Sequence, residues 1–194
     1  MEQSIRQVVV VHGAPGTGKT TVAAQLHERL RCPWFEFGWI PEFCAKNPHT
    51  EIPAQDEEQL SFENLVLVTK NYFAHGFGRV LLSDLNDVRL LDLPTVFGHN
   101  YVIFTLETAE AIQRKRILTR DNGNSYRDCA QAAKILRKIS GRPPLPNEYR
   151  LDSMQQTPDA LTDQILELLE RHKATSVDGF SAARANYFSY LEGQ

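Results

Sequence analysis

The sequence predicts an α/β protein of three layers, α/β/α, built on a five-stranded parallel sheet. Two observations carry this. Strand-length apolar runs alternate along the chain with stretches of helical periodicity, the pattern of parallel strands joined by covering helices. In addition, four successive valines, Val8 to Val11, run into a Gly-rich turn and then into the helix-forming Thr21-Val22-Ala23-Ala24-Gln25-Leu26. An unbroken apolar strand of this kind is one buried on both faces, as the strands of parallel sheets are.

In chain order, Arg6 to His12 reads as the first strand and Lys19 to Leu30 as the first helix. Pro33 to Phe37 is the second strand. Gln55 to Ala74 is a long helix, in which Leu60, Leu65, Val68 and Tyr72 recur at helical spacing. Arg79 to Ser83 and Tyr101 to Leu106 are short buried strands, and Thr108 to Thr119 is a helix. The polar turn Asp121 to Ser125 leads into a helix from Arg127 to Ile139. Gly141-Arg142-Pro143-Pro144 then breaks the chain before a last strand near Tyr149 to Leu151. Thr157-Pro158-Asp159 starts a helix with proline at its first position, and Leu161, Ile165, Leu168 and Leu169 supply its apolar face. The tail from Ala174 to Gln194 carries Phe180, Tyr187, Phe188 and Tyr190 and is expected to pack on the body or on a partner. The expected organisation is one domain over residues 1–173 followed by this aromatic tail over 174–194.

Length and composition agree with a single domain: 194 residues, 42% hydrophobic and 23% charged. No apolar run reaches spanning length and none suits a signal peptide, so a cytoplasmic protein is expected. The net charge of −3 gives no global attraction to nucleic acid or to an anionic membrane. Cys32, Cys44 and Cys129 are odd in number, widely spaced and without C-x-x-C spacing, so neither a disulfide framework nor a zinc site is suggested and they read as free thiols.

The strongest chemical signal is Gly13-Ala14-Pro15-Gly16-Thr17-Gly18-Lys19-Thr20, with Thr21 continuing into the helix. In the pattern G-x-x-x-x-G-K-[ST], glycines let backbone N–H groups turn inward around phosphate oxygens while the following helix aims its positive end at the same anion. Lys19 is expected to reach the outer phosphates and the Thr20 hydroxyl to hold Mg2+. A nucleoside triphosphate is therefore the expected ligand.

Val80-Leu81-Leu82-Ser83-Asp84 ends an apolar strand in an acid, which places Asp84 as the carboxylate beside the magnesium ion. Asn86 and Asp87 lie just beyond and are expected to face the same cleft. Arg116 and Arg120, at i and i+4, share one face of their helix, and Arg127 follows after a short polar loop. Two arginines on a helix are on their own a solvated face. After a phosphate loop they suit a closing flap, because charge spreading over a moving phosphate needs positive groups and exclusion of water.

With these residues in view, the chain resembles the small P-loop kinases, the superfamily that includes adenylate kinase, shikimate kinase and related small-molecule phosphotransferases, over about residues 6 to 170. The matching positions are the loop from Gly13 to Thr20, the strand-end Asp84, the Arg116-x-x-x-Arg120 pair and Arg127. The resemblance implies a P-loop kinase-like fold with a short lid at about 116–137 and an acceptor-binding region at about 34–77. It also implies that Arg116 packs on adenine while Arg120 touches phosphate, and that the segment Leu151-Asp152-Ser153 to Thr157-Pro158-Asp159 passes beneath the base. Ser83-Asp84-Leu85-Asn86 is similar to the strand end of the polynucleotide-kinase-like and zeta-toxin-like branches. The doubled acid of shikimate kinase and the Asp-Gly-Phe-Pro-Arg pattern of adenylate kinase are both missing.

The acceptor region speaks through its charges. Trp34 to Phe77 holds no arginine, and Trp34 to Asn64 holds seven carboxylates, Glu36, Glu42, Glu51, Asp56, Glu57, Glu58 and Glu63, against Lys46 alone. Lys46, Lys70, His49 and His75 are the cationic groups of the region. Desolvating an anion without a fixed positive partner is costly, so an anionic acceptor is disfavoured. The aromatic run from Trp34 to Phe43 alternates on a strand, sending Trp34 and Glu36 to one face and Phe35 and Phe37 to the other. Some of these rings are core and others could line a pocket for a neutral or cationic hydroxylated molecule. Glu36 is the candidate base for the acceptor hydroxyl, with Glu42 the alternate.

The sequence therefore points to an ATP- and Mg2+-dependent O-phosphotransferase with a nucleoside-, sugar- or antibiotic-like acceptor. A nucleotide or nucleic-acid-end kinase is the alternative among enzymes. A partner-regulated ATPase or switch is the alternative from another class. Against that class, no Asn-Lys-x-Asp guanine motif occurs, and Leu85 follows Asp84 where AAA-type ATPases place a water-activating glutamate.

Overall fold

The computed structural model describes residues 6–39, 54–121, 125–174 and 178–193. Strand β1 (Gln7–His12) lies at the middle of a five-stranded, all-parallel sheet in the order β2-β3-β1-β4-β5, with β2 (Trp34–Glu36), β3 (Arg79–Ser83), β4 (Tyr101–Glu107) and β5 (Glu148–Asp152). Val9 is paired with Leu81 on one side and Val102 on the other. All four valines of β1 are fully buried, which explains their unbroken run.

The pleat sends alternate valines into two cores. Val9 and Val11 meet Val22 and Leu26 of helix α1 (Lys19–Leu30) and Leu161 and Ile165 of the helix over Pro158–Arg171. Val8 and Val10 meet the other cover, which includes Phe62 and Leu65 of helix α2 (Ala54–Ala74) and the short helix α3 (Leu93–Phe97). Helices α4 (Glu110–Thr119) and α5 (Cys129–Gly141) close the phosphate-loop end, where Leu136 and Ile139 pack on Ala14. The Pro158–Arg171 helix is α6, started by Thr157, whose hydroxyl accepts the Ala160 N–H. A final helix, α7 (Asp178–Glu192), lies against the α2 side: Tyr187 is fully buried and Phe180 packs near Tyr101 with ring centroids 6.0 Å apart.

Several boundaries differ from expectation. The second strand keeps only three residues, because the chain bends into a 3-10 turn at Phe37–Trp39. The helix expected from Arg127 starts at Cys129, since Asp128 takes the N-cap position and accepts the Gln131 N–H at 2.9 Å. A 3-10 segment, Asp87–Asp92, and α3 fill a stretch that carries no strong periodicity in the sequence. The turn at 121–125 is described only at its ends. Cys32 and Cys129 are free thiols, and burial pushes Cys32 up; Cys44 lies outside the described residues. Among the described residues no helix is long and apolar enough to cross a membrane.

Candidate functional site

The loop between β1 and α1 owes its shape to two close approaches. A Cβ on Gly13, at φ +140°, would stand 2.6 Å from the Leu106 carbonyl, and one on Gly16, at φ +82°, would stand 2.8 Å from Ile117 Cγ1. Only glycine lets the loop lie this near β4 and α4. Inside the turn, the Thr17 hydroxyl donates to the Ala14 carbonyl at 2.9 Å and Lys19 Nζ donates to the same oxygen at 3.2 Å. Helix α1 then begins at Lys19 with no side-chain cap and no acid in its first turn, which leaves its N-terminal N–H groups and dipole available to an anion.

This loop forms one side of a cleft of about 700 Å3. Pro15 to Thr21, Glu36, Asp84, Arg116 and Arg120 all contribute to its wall. Gly13 and Ala14 lie beneath the wall, and Arg127 is not on it. Arg127 bonds instead to the Tyr126 carbonyl at 2.9 Å and to the Arg120 carbonyl at 3.5 Å, bracing the lid backbone. Glu42, Lys46 and His49 lie outside the described residues.

Across the loop, Asp84 Oδ1 stands 3.2 Å from Lys19 Nζ. Asp84 adopts φ +61°, a left-handed conformation that costs a non-glycine residue energy and recurs where geometry serves a site. Glu36 ends β2 in register with Ser83 and so neighbours Asp84. Burial pushes the Glu36 carboxyl up, Asp84 adds to the rise, and Lys19 opposes it. Thr20 and Asp84, on one wall, suit a hard cation held by few protein ligands. Among the described residues no cluster of three or more His, Cys, Asp or Glu could hold a metal, and magnesium needs none, since it keeps waters and phosphate oxygens as its main ligands.

The lid side is built from hydrogen bonds. Arg116 donates to Ser153 Oγ at 3.1 Å, to the Ser153 carbonyl at 2.6 Å and to the Thr17 carbonyl at 3.4 Å, joining α4 to the loop after β5. Ser153 is fixed in turn by donating to the Glu107 carbonyl at 2.9 Å. Arg120 donates to the Tyr126 carbonyl and lies over the Tyr126 ring at 5.8 Å, and Tyr126 itself faces the cleft. Ser153, Gln156, Pro158 and Leu161 complete the far wall.

Other expectations move. Asp87 is turned away from the cleft into a buried cluster: its Oδ1 is 2.7 Å from Arg142 Nε and 3.2 Å from His12 Nε2, and Arg142 also donates 2.9 and 2.7 Å bonds to the two oxygens of Glu148. Burial alone would raise the Asp87 carboxyl, but the His12 ring and the Arg142 guanidinium outweigh it and hold it well below the usual range. Glu148 is likewise held low, burial being outweighed by Arg142 and by donation from Thr105. Asn86 donates to Glu58 at 2.6 Å. Trp34 packs into the α1-side core and Phe35 and Phe37 into the α2-side core, so the described rings of this strand are core and not cleft. Arg89, beyond the stretch searched for cations, is held by Glu58 at 3.3 Å and Asp92 at 3.1 Å above the Phe62 ring.

A family profile described as an AAA domain matches residues 8–92, from β1 through the segment after β3. No curated protein matches the chain by sequence. Among solved structures, a sugar kinase from Janibacter sp. HTCC2649 is similar with TM-score 0.65 and 18% identity, covering 85% of this chain and 95% of that one. A gluconokinase from Sinorhizobium meliloti 1021 is similar with TM-score 0.62 and 18% identity, over 86% and 93%. The Deinococcus radiodurans tunicamycin resistance protein is similar with TM-score 0.62 and 20% identity, over 84% and 95%. This chain therefore has the fold of the P-loop nucleotide and small-molecule kinase superfamily.

Proposed function

We propose that the chain is an ATP- and Mg2+-dependent O-phosphotransferase whose acceptor is a small neutral or cationic molecule carrying a hydroxyl group. The observation that carries this is one cleft wall on which Lys19, Thr20, Asp84, Glu36, Arg116 and Arg120 meet. Loop amides and Lys19 hold the triphosphate. Thr20 and Asp84 would hold the magnesium ion, which would offset the charge of the phosphate oxygens. Glu36 accepts the proton of the acceptor hydroxyl as its oxygen bonds to the γ-phosphorus. The bond from that phosphorus to the β–γ bridging oxygen breaks and ADP leaves. Arg116 and Arg120 place positive charge over the cleft from the lid, and Arg127 holds that lid in shape. The acceptor's class rests on charge: Arg89 is already paired with two carboxylates, so the described acceptor side offers it to no anion. The names of the similar structures, for a sugar, for gluconate and for tunicamycin resistance, agree with hydroxylated acceptors of varied shape, although gluconate is an anion and so the charge class rests on this chain's own residues alone.

The test is transfer from labelled ATP with Mg2+ to nucleosides, nucleoside monophosphates, sugars, aminoglycosides and other hydroxylated antibiotics, scored by mass. Gain of one phosphoryl group on a neutral or cationic acceptor is expected, abolished by Lys19→Ala and by Arg120→Ala in folded protein. Gain only on monophosphates would replace this reading with a nucleotide or nucleic-acid-end kinase, and unchanged turnover in Arg120→Ala would remove the role given to the lid. The AAA-domain match favours one second reading, a partner-regulated ATPase. Hydrolysis with no acceptor, stimulated by a protein partner, would establish it. Against it stands Leu85, buried directly after Asp84 where a water-activating acid would be needed.

A further inference from the structure

We infer that Gln113 is the positioning residue that aims the phosphate loop into the cleft and ties both ends of the lid to it. Gln113 lies on α4, three residues before Arg116 and seven before Arg120, so it shares their helix face. It is almost fully buried, yet both protons of its side-chain amide are used: Nε2 donates to the Pro15 carbonyl at 2.8 Å and to the Ala132 carbonyl at 3.0 Å. Three elements therefore meet at one nitrogen: the phosphate loop, the helix that leads into the lid, and α5, which leads out of it.

The consequence for the loop follows from peptide geometry. The Pro15 carbonyl and the Gly16 N–H belong to one planar trans peptide and point in opposite directions. Holding the carbonyl toward Gln113 turns the Gly16 N–H away from α4, toward the cleft that Gly16 lines. Close packing reinforces the hold, because the Gln113 carbonyl and Cγ stand 3.1 and 3.2 Å from where a Cβ on Gly16 would be. A buried polar side chain with both donors satisfied is a rigid strut, whereas an apolar replacement leaves the Pro15 peptide free to rotate. The residue touches no ligand itself. It acts through Gly16 and through the two lid ends.

The inference rests on the phosphotransferase reading only for its effect on turnover; its binding test does not. Gln113→Met keeps length and removes the donor, and Gln113→Asn keeps a buried amide but withdraws it by one methylene, so that it serves at most one carbonyl. Binding of a non-hydrolysable ATP analogue with Mg2+ and of adenosine would be measured by calorimetry, alongside Tm. In Gln113→Met the triphosphate should bind about tenfold more weakly while adenosine binds as before, as expected for loosening one of several phosphate donors. Gln113→Asn should lie between, and decides the matter if Gln113→Met does not fold. Equal weakening of both ligands in folded protein, or no weakening of either, would overturn the inference. If the intact protein transfers phosphate to no acceptor but the triphosphate-selective loss is seen, the phosphotransferase reading fails and the strut stands.

Discussion

Glu36 has Asp84 and Lys19 as its charged neighbours, and burial together with Asp84 prevails over Lys19 to lift its carboxyl above the ordinary range. In the proposed role of base Glu36 works only when ionised, so the acid limb of kcat/KM should fall at a pH higher than the ordinary glutamate value of about 4.3. Glu36→Gln should lower kcat by about 10²–10⁴ and erase that limb. Stability should move the other way. A carboxyl raised in the folded state contributes fully below its unfolded value, and the contribution is lost as pH rises through the folded one. Glu36→Gln is neutral at every pH and should therefore raise Tm at pH 7, the pattern of a residue kept for activity at the expense of stability. A pH–rate profile and a thermal melt of the same variant check both signs.

Among the elements, the ends of β1 and β5 and the 3-10 segment after β3 are joined by polar and charged groups that have left water. The side chains of Arg142 and Glu148 are fully buried, and Asp87 and His12 nearly so. Removing one partner strands the others, so Arg142→Ala should cost about 3–5 kcal/mol of unfolding free energy by urea titration. Asp87 and Glu148 are both held low in the fold. Their stabilisation is present above their unfolded values, about 3.9 and 4.3, and is lost as pH falls through the folded ones. Asp87→Asn should flatten this acid-side decline. None of this cluster was legible in the sequence. Arg142 reads as part of a Gly-Pro break and Asp87 as a cleft acid, because the partners that bury them are brought by tertiary contact from distant strands. The loop around Lys19 was legible, since its geometry is set by glycines within eight residues, and so was Asp84, fixed by the end of an apolar strand. Gln113 gives no sequence signal, a single polar residue on a helix being ordinary until two carbonyls are seen beside it. Arg89 was missed because the search for acceptor-side cations stopped before β3, while the fold brings the segment after β3 against α2.

For the molecule as a whole, the order β2-β3-β1-β4-β5 puts β1 at the point where connections run to opposite sides, and the cleft opens beyond its end as the topology of open parallel sheets predicts. Strands β1, β3 and β4 were readable as short apolar runs, whereas β5 carries Glu148, Arg150 and Asp152 and was placed by the Gly-Pro break before it and the helix start after it. The last helix was not read as a helix, its aromatic residues being spaced to meet several elements and not one face. It meets Asp92 and the Leu91 carbonyl through Arg184, the Lys138 carbonyl through the Tyr190 hydroxyl, and the core through Tyr187. Tyr187→Ala should cost about 3–5 kcal/mol, read by the urea midpoint at unchanged m-value.

The position of Tyr187 also sets an order of events at the ribosome. His12 and Asp87 are made early, but Arg142, Glu148 and the Tyr187 ring that enclose them emerge only much later. Until then a nascent chain can form β1, β3 and the loop between β1 and α1, yet it carries His12 and Asp87 at the sheet end with no cover and an apolar face with no lid. Such a chain stays open and exposed to chaperones while translation proceeds, and the sheet end that supports the phosphate loop is sealed only when residue 187 leaves the exit tunnel.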